Sequence, residues 1–268
     1  MRRYVTLAYG LVCYAIFLGT FLYAIWFVFE MDATPREPLG PLTVRILVDA
    51  GLLALFALQH SIMARQWFKK AWTRIVPDAA ERSTYVLFAS LALLAVIRFW
   101  QPLLGAIWKV ENHVGILVLH GLFAVGWLIV LVSTFLIDHF ELFGLKQVWC
   151  YFTGKPFTWK GFVVPGPYKF VRHPLYLGFI IAFWSTPTMT AGHLFFAIMT
   201  TAYILVAIQL EEQDLSAILG EPYRSYQKSV SMLTPLPRKS RPEAQRSIAA
   251  TRISNATPIG TMQKAGAR

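Results

Sequence analysis

The chain has 268 residues, of which 56% are hydrophobic and 15% charged, whereas an ordinary soluble domain carries roughly 25% charged residues. Its formal net charge is +11, but no nucleic-acid partner is expected, because membrane proteins collect Lys and Arg in their cytoplasmic loops. The composition predicts an all-α integral membrane protein and argues against a soluble nucleic-acid-binding domain. The two cysteines, Cys13 and Cys150, stand in separate segments and predict neither a disulfide framework nor a zinc motif.

The chain contains four apolar runs long enough to cross a bilayer, since a spanning helix needs about 20 mostly apolar residues. They occupy residues 5–29, 44–63, 83–100 and 114–137. The first run is too long for the apolar region of a signal peptide, and we interpret it as a retained span. A further apolar stretch begins at residue 175, is interrupted by Pro187 and continues over 193–210. It predicts either two more spans or a helical hairpin with a short first arm, so about five to six transmembrane helices in all.

The Lys and Arg residues are divided unevenly between the two sides that these spans define. All but four of the 25 lie in the N-terminal segment, the loops after the second and fourth spans, and the C-terminal tail. The four exceptions are Arg36, Arg45, Arg98 and Lys109. Because basic residues favour the cytoplasmic side, both termini are expected in the cytoplasm. This arrangement favours six crossings, or four plus a re-entrant hairpin.

The last 31 residues of the chain differ in composition from the rest. Residues 238–268 are basic, rich in Ser, Thr, Pro, Gln and Ala, and poor in bulky side chains. Such a segment cannot bury a core and is expected to be a disordered cytoplasmic tail. Residues 1–237 are therefore predicted to form a single membrane domain.

Polar side chains gather at the predicted cytoplasmic ends of the spans. They are His60, Tyr85, Asp138, His139, Arg172, His173, Tyr176, Glu211, Glu212 and Asp214. Acids at such positions face anionic lipids and helix C-termini, which are both unfavourable surroundings. We therefore expect one polar pocket open to the cytosol. The alternative is that helix ends carry polar residues where the lipid headgroups begin.

Several known catalytic motifs are absent from the sequence. It contains no GxGxxG dinucleotide fingerprint, no GK[ST] phosphate loop and no HExxH zinc motif. A metal site at residues 138–141 is possible from the ligand chemistry but is the less favoured interpretation, and no metal is expected.

Two sequence blocks resemble a family of membrane methyltransferases. The run GPYKFVRHPLYLG at residues 166–178 resembles the RHPxYxG motif of enzymes related to isoprenylcysteine carboxyl methyltransferase and of the NnrU-like proteins. The second block has EE at 211–212 and GEPY at 220–223, and the two together cover about residues 160–235. The runs QHS at 59–61, ERSTY at 81–85 and WSTPTMTAGH at 184–193 are similar to bacterial methanethiol S-methyltransferases. Those enzymes methylate methanethiol to dimethyl sulfide with S-adenosylmethionine.

The resemblance implies an S-adenosylmethionine site formed by the C-terminal helical hairpin. The implied cofactor-binding residues are Gly161, Phe162, Val163, Tyr168, Arg172, His173, Pro174, Tyr176, Gly178, Glu211 and Glu212. Arg172 would clamp the carboxylate of the cofactor, and Glu211 or Glu212 would receive its ammonium group. Gly178 would let the cofactor or a neighbouring helix approach closely.

Methylation of a thiol also requires a group that accepts the thiol proton, because the thiolate is the nucleophile. We expect His60 to be this base and Asp138 to orient it, with Tyr85 and Tyr14 as pocket walls or hydrogen-bond donors. The expected partners are a small thiol and membrane lipids, with no obligate protein partner evident. The expected location is the bacterial inner membrane.

Two alternative functions stay open from the sequence. One is methylation of a lipid or of a prenyl-cysteine carboxylate, which would need a path for a long lipid. The other is an NnrU-type transport or assembly role without methyl transfer, which predicts no affinity for S-adenosylmethionine.

Overall fold

The computed structural model describes residues 1–31, 37–158 and 161–235. The predicted tail at 238–268 lies outside the described residues. The helices are α1 Arg2–Phe29, α2 Leu42–Ala64, α3 Gln66–Trp72, α4 Asp78–Phe99, α5 His113–Ile137, α6 His139–Leu142, α7 Leu145–Thr153, α8 Pro174–Trp184, α9 Ala191–Leu219 and α10 Glu221–Ser229. Two short strands, β1 Ala106–Lys109 and β2 Thr188–Thr190, and a 3₁₀ helix at Gly166–Lys169 complete the elements.

Five of the helices, α1, α2, α4, α5 and α9, are long and apolar enough to cross a membrane. Their outer faces expose large apolar side chains, for example Leu47 at 66% and Val114 at 70%. Helices satisfy their own backbone hydrogen bonds, which is the condition for crossing hydrocarbon. The chain is thus a multi-pass, all-α membrane protein, and the predicted fold class is confirmed.

The apolar stretch interrupted by Pro187 has a short first arm. Helix α8 has 11 residues and is therefore about 16 Å long, against a hydrocarbon core of about 30 Å. The strand β2 that follows pairs antiparallel with β1, which connects α4 to α5. This pairing brings the chain to the end of the bundle at which α4 ends and α5 begins. Within the described residues, five helices thus have spanning length, and α8 is the short first arm of a hairpin with α9.

The chain forms two compact units. Unit 1 comprises Met1–Thr158 and Leu175–Ala207, and unit 2 comprises Trp159–Pro174 and Ile208–Arg268. In unit 1, α4 packs against α1 and α2, and α7 packs against α1 and α4.

Helices α5 and α8 of unit 1 approach each other at two glycines. A Cβ added to Gly178 would lie 2.6 Å from the carbonyl oxygen of Gly126. A Cβ added to Gly126 would lie 2.7 Å from the carbonyl oxygen of Gly178. Small residues let membrane helices pack backbone to backbone, so the missing side chain at Gly178 allows α5 to approach α8 closely.

Unit 2 has its own hydrophobic cluster and its own backbone hydrogen bonds between distant segments. Phe162, Val164, Leu215 and Leu219 pack against the buried side chains Tyr223, Tyr226 and Val230. The Arg172 N–H donates to the Ser231 carbonyl at 2.8 Å, and the His173 N–H donates to the Met232 carbonyl at 3.2 Å. These bonds hold the segment that precedes α8 beside the segment that follows α10, so both motif blocks meet within unit 2.

Candidate functional site

The polar centre of unit 2 is the Glu212 carboxylate. Arg172 Nε donates to Glu212 Oε1 at 2.6 Å, and His173 Nε2 lies 2.9 Å from the same oxygen. Gln227 Nε2 donates to Glu212 Oε2 at 3.0 Å. The side chains of Arg172 and Glu212 are 8% and 11% exposed. A buried carboxylate must be paired and hydrogen-bonded, and Glu212 is satisfied on both of its oxygens by protein groups.

Arg172 is held by the backbone as well. Its Nη1 donates to the carbonyls of Gln227 and Val230. The bonds to described residues thus use Nε and Nη1. The guanidinium therefore joins α9, α10 and the segment after α10.

Glu211 differs from its neighbour in accessibility. Its side chain is 42% exposed, and its Oε2 lies 3.9 Å from His173 Nδ1. Of the two adjacent acids, Glu211 is therefore the more exposed. The structure thus separates the two glutamates into a buried structural partner of Arg172 and an accessible carboxylate.

An open cleft of about 380 Å³ lies beside this centre, within the range of about 300–1,000 Å³ that small-molecule sites occupy. It is lined by Gln209, Glu212, Gln213, Ser216, Ala217, Arg224 and Gln227. Carboxylate, amide and hydroxyl groups suit the ammonium, the ribose hydroxyls and the adenine amine of S-adenosylmethionine. The donor and acceptor set of unit 2 therefore fits this cofactor.

The remaining predicted cofactor residues of unit 2 have varied surroundings. Gly161 has φ +76°, a conformation that favours glycine. The Phe162 ring packs edge-on against Tyr226 at 5.4 Å, whereas Val163 is 48% exposed. The Tyr168 carbonyl accepts the Tyr226 hydroxyl. Pro174 is fully buried.

The phenols beside this centre stay protonated. Burial raises the pKa of Tyr223, and the negative charges of Glu212 and Glu211 raise it further. Burial likewise raises the pKa of Tyr226. The two rings therefore contribute neutral hydrogen-bonding groups to unit 2.

The other predicted cofactor residues, Tyr176 and Gly178, lie on α8 in unit 1. Gly178 meets Gly126 of α5, as described above. Tyr176 is partly buried.

The predicted base, His60, lies in unit 1 and is hydrogen-bonded to Tyr85. The Tyr85 hydroxyl oxygen is 3.0 Å from Nε2 and 3.1 Å from Nδ1 of His60. The His60 ring stacks on Phe56 at a centroid distance of 5.3 Å, and the Arg82 guanidinium lies 4.9 Å from the centre of the Tyr85 ring. Beside it, the hydroxyls of Ser61 and Tyr203 are 3.1 Å apart. The structure thus brings together two of the three predicted catalytic residues.

The third, Asp138, has other partners. Lys146 Nζ donates to Asp138 at 2.9 Å and to Glu141 at 2.6 Å, and Asp138 accepts the Glu141 N–H at the start of α6. Burial opposes the charge of Lys146, but the hydrogen bonds to Glu141 and Asp138 outweigh it and raise the lysine's pKa. Asp138 thus caps α6 and binds Lys146, and we do not propose it as the residue that orients His60.

A second histidine of unit 1, His139, is also paired with a tyrosine. Its Nε2 lies 2.8 Å from the Tyr14 hydroxyl, and its Nδ1 lies 2.9 Å from the Thr134 hydroxyl. The sequence indicated Tyr14 and His139 as polar residues near the predicted pocket, but not their contact, because they lie 125 positions apart.

Two other residues were not predicted as site residues. Gln227 lies four positions beyond the GEPY run of the second motif block, and its place on the short, amphipathic α10 was the available signal. In the sequence, Lys146 counted only as a basic loop residue. Its contact with Asp138 depends on the turn at Gly144, with φ +87°, which brings the chain back. Within the described residues, no three His, Cys, Asp or Glu side chains are grouped as a metal site.

Comparisons with known proteins give a consistent set of relatives. No protein-family model matches the chain, and no solved structure matches it. Methanethiol S-methyltransferase of Crocosphaera subtropica is 52% identical over 238 residues, which cover 88% of this chain and 93% of that protein. The protein of the same name from Mycobacterium tuberculosis is 51% identical over 243 residues, 89% and 99% of the two chains. Nurim of Xenopus laevis is 34% identical over 182 residues, 65% and 64% of the two chains.

Proposed function

The chain belongs to the methanethiol S-methyltransferase family, and we propose that it transfers a methyl group from S-adenosylmethionine to a small thiol, most directly methanethiol. The observation that carries this proposal is the 52% identity, across 88% of the chain, to a protein named for the reaction. The products would be dimethyl sulfide, S-adenosylhomocysteine and a proton.

Unit 2 would hold the cofactor, which supplies an electrophilic methyl group on a sulfonium centre when bound. Glu211, which is 42% exposed, would receive the ammonium group. Arg172 Nη2, which makes no hydrogen bond to a described residue, would bind the carboxylate. Arg172, His173 and Gln227 hold Glu212 at the edge of the cleft. Residues 161–163 and Tyr168 would wrap the cofactor, as the resemblance implies. Methyl transfer is mainly a matter of positioning, which supports a rigid, hydrogen-bonded frame at this place.

In unit 1, His60 and Tyr85 form a hydrogen-bonded pair, with the ring of Phe56 stacked on His60 and the ring of Tyr203 beyond Phe56. A small thiol needs an apolar wall for its methyl group and a polar group for its sulfur. We propose that this pair binds the thiol, so that Tyr85→Phe raises KM for the thiol more than it lowers kcat.

The protein is proposed to lie in the bacterial inner membrane with both termini in the cytosol. An even number of crossings would result if the short α8 and the residues after it complete a sixth crossing beside the five spanning-length helices, and the uneven distribution of Lys and Arg supports this direction. The bacterial relatives support this location. Membrane lipids are then the constant neighbours of the apolar helix faces.

The experiment is a substrate comparison on the protein purified in nanodiscs. Methanethiol, longer alkanethiols and a farnesylated cysteine are each supplied with S-adenosylmethionine, and products are measured by gas chromatography and mass spectrometry. Dimethyl sulfide as the preferred product supports the proposal. Preferred methylation of the farnesylated cysteine carboxylate would show the lipid alternative to be correct. A folded protein with no affinity for S-adenosylmethionine would favour a transport or assembly role.

A further inference from the structure

Tyr14 of α1, His139 of α6 and Thr134 of α5 form a hydrogen-bonded chain with a fixed direction. The Thr134 hydroxyl donates its only proton to the Leu131 carbonyl at 2.7 Å. At His139 Nδ1, 2.9 Å away, Thr134 must therefore act as acceptor, so Nδ1 carries the imidazole proton. His139 Nε2 is then a lone-pair acceptor, and the Tyr14 hydroxyl donates to it at 2.8 Å.

The surroundings keep this imidazole neutral and out of water. His139 is 6% exposed, and its ring stacks on Phe135 at 4.3 Å, with Phe143 edge-on at 4.8 Å. Burial lowers the pKa of His139. Tyr14, in contrast, is only partly buried. The Tyr14 ring contacts Phe17 and Phe143, and both of these rings also pack against the cluster of Met63, Tyr85 and Val86. These two rings therefore connect Tyr14 to the proposed thiol-binding pair.

We propose that Tyr14, His139 and Thr134 are the proton relay that activates the thiol, an inference that rests on the proposed function. The S–H bond of the thiol breaks, and its proton goes to Tyr14 Oη as the phenol proton passes to His139 Nε2. The result is a thiolate and an imidazolium, with Tyr14 again a neutral phenol. The imidazolium later returns its proton through the Tyr14 hydroxyl to water.

The two histidines of unit 1 differ in how well their hydrogen bonds prepare them to accept a proton. At His139, the Thr134 hydroxyl fixes the imidazole proton on Nδ1 and leaves the Nε2 lone pair facing Tyr14.

At His60 the conditions are less favourable. Its partner Tyr85 lies under the Arg82 guanidinium, and a positive charge opposes a second one nearby. The Tyr85 oxygen also lies 3.0–3.1 Å from both ring nitrogens, so no single tautomer is fixed. His60 is thus suited to binding a neutral thiol and His139 to accepting its proton.

The first test compares Tyr14→Phe with Tyr9→Phe. Tyr9 lies on the same helix, and its hydroxyl is 2.9 Å from the Thr84 hydroxyl, so both variants remove a hydrogen-bonded hydroxyl and keep the ring. Tyr14→Phe should lower kcat roughly 100-fold at pH 7, in the range that general base catalysis contributes, with little change in KM. Tyr9→Phe should stay near the wild type.

The pH dependence separates a relay from a packing role. The groups that bear on His139 are Tyr14 of α1, Arg82 of α4, Asp138, and Glu141 with its partner Lys146. As the pH rises towards the pKa of the free thiol, thiolate forms in water and no longer needs the relay. The gap between wild type and Tyr14→Phe should then narrow. A pH-independent gap would mean that Tyr14 only supports the structure.

The second test changes Thr134. Thr134→Ser keeps the hydroxyl and should retain activity, whereas Thr134→Val removes the acceptor that fixes the tautomer and should lower kcat. Nitrogen-15 NMR of labelled histidine should report the Nδ1–H tautomer at His139 in wild type and Thr134→Ser, and its loss in Thr134→Val. An active wild type whose Tyr14→Phe and Thr134→Val variants match it would overturn the relay alone. A folded wild type that methylates no thiol would instead overturn the proposed function.

Discussion

Arg172 donates from Nε to Glu212 Oε1 at 2.6 Å, and this ion pair joins two motif blocks that lie 40 positions apart in the chain. The RHP block precedes α8 and the acidic block lies on α9, so this ion pair connects the two blocks within unit 2. It also explains why the two glutamates are not equivalent, because only Glu212 is committed to the arginine.

The first prediction is that Arg172→Ala destabilises unit 2. The substitution removes the cation that pairs with the buried Glu212 carboxylate, and the loss of one partner of a buried ion pair lowers stability by about 3–5 kcal/mol. We expect faster proteolysis of residues 208–235 and a lower melting temperature in detergent. Arg224→Ala is the matched control, because the Arg224–Glu221 pair is 56% and 73% exposed and such pairs contribute little. Equal stability of the two variants would contradict the structural role of Arg172.

The second prediction concerns Glu211, whose side chain is 42% exposed. Glu211→Gln should weaken S-adenosylmethionine binding roughly tenfold, near the lower end of what a charged hydrogen bond contributes, since the group is partly solvated. The melting temperature should not change. Titration calorimetry measures the affinity, with Glu221→Gln as the control for an exposed acid. Unchanged affinity in Glu211→Gln would remove this residue from the cofactor site.

The third prediction is that Gly178→Ala disturbs the contact between α5 and α8. The added Cβ would lie 2.6 Å from the Gly126 carbonyl oxygen, a backbone atom that cannot move alone, and overpacking of this kind costs about 1–3 kcal/mol. Gly121→Ala on α5 is the control, because its Cβ would meet nothing within 4 Å. Thermal unfolding should separate the two, and a Gly178→Ala protein as stable as Gly121→Ala would argue against this close packing.

The fourth prediction is the direction of the chain in the membrane. Alkaline phosphatase fused after Val110, next to β1, should be active in the periplasm. Fluorescent-protein fusions after Arg74 and after Pro235 should be fluorescent in the cytosol. The physical reason is the excess of Lys and Arg on the side predicted to be cytoplasmic. The opposite pattern of reporters would invert the proposed topology.

The fifth prediction is that deletion of residues 242–268, which lie outside the described residues, leaves methyl transfer nearly unchanged. The segment has too few bulky apolar side chains to offset the roughly 1–2 kcal/mol per residue that ordering a backbone costs. The assay compares specific activity at equal membrane content. Loss of activity with intact insertion would show that the tail contributes to the active site.

The sequence predicted the membrane spans well because hydropathy reports on them directly. The first four predicted spans overlap α1, α2, α4 and α5, with ends that differ by up to five residues. The length of α9 was not predicted, since Glu211 and the polar residues that follow end the apolar run while remaining good helix formers. The pairing of β1 with β2 was missed as well, because strands of three and four residues carry no readable period.

The sequence predicted candidate site residues, but few of their contacts. His60 and Tyr85, predicted to share one pocket, are hydrogen-bonded to each other, whereas Asp138 binds Lys146. Glu211 and Glu212 differ in exposure because adjacent residues on α9 point about 100° apart. Which of the two glutamates Arg172 and Gln227 can reach depends on the position of α10.

Methyl transfer to methanethiol is tested most directly with purified protein, methanethiol and S-adenosylmethionine that carries a fully deuterated methyl group. We expect dimethyl sulfide that contains one deuterated and one unlabelled methyl group, with one S-adenosylhomocysteine formed for each sulfide. Glu211→Gln should reach the same product at a higher cofactor concentration. A folded, cofactor-binding protein that yields no deuterated sulfide, or that places the label on another acceptor in preference to methanethiol, would contradict it.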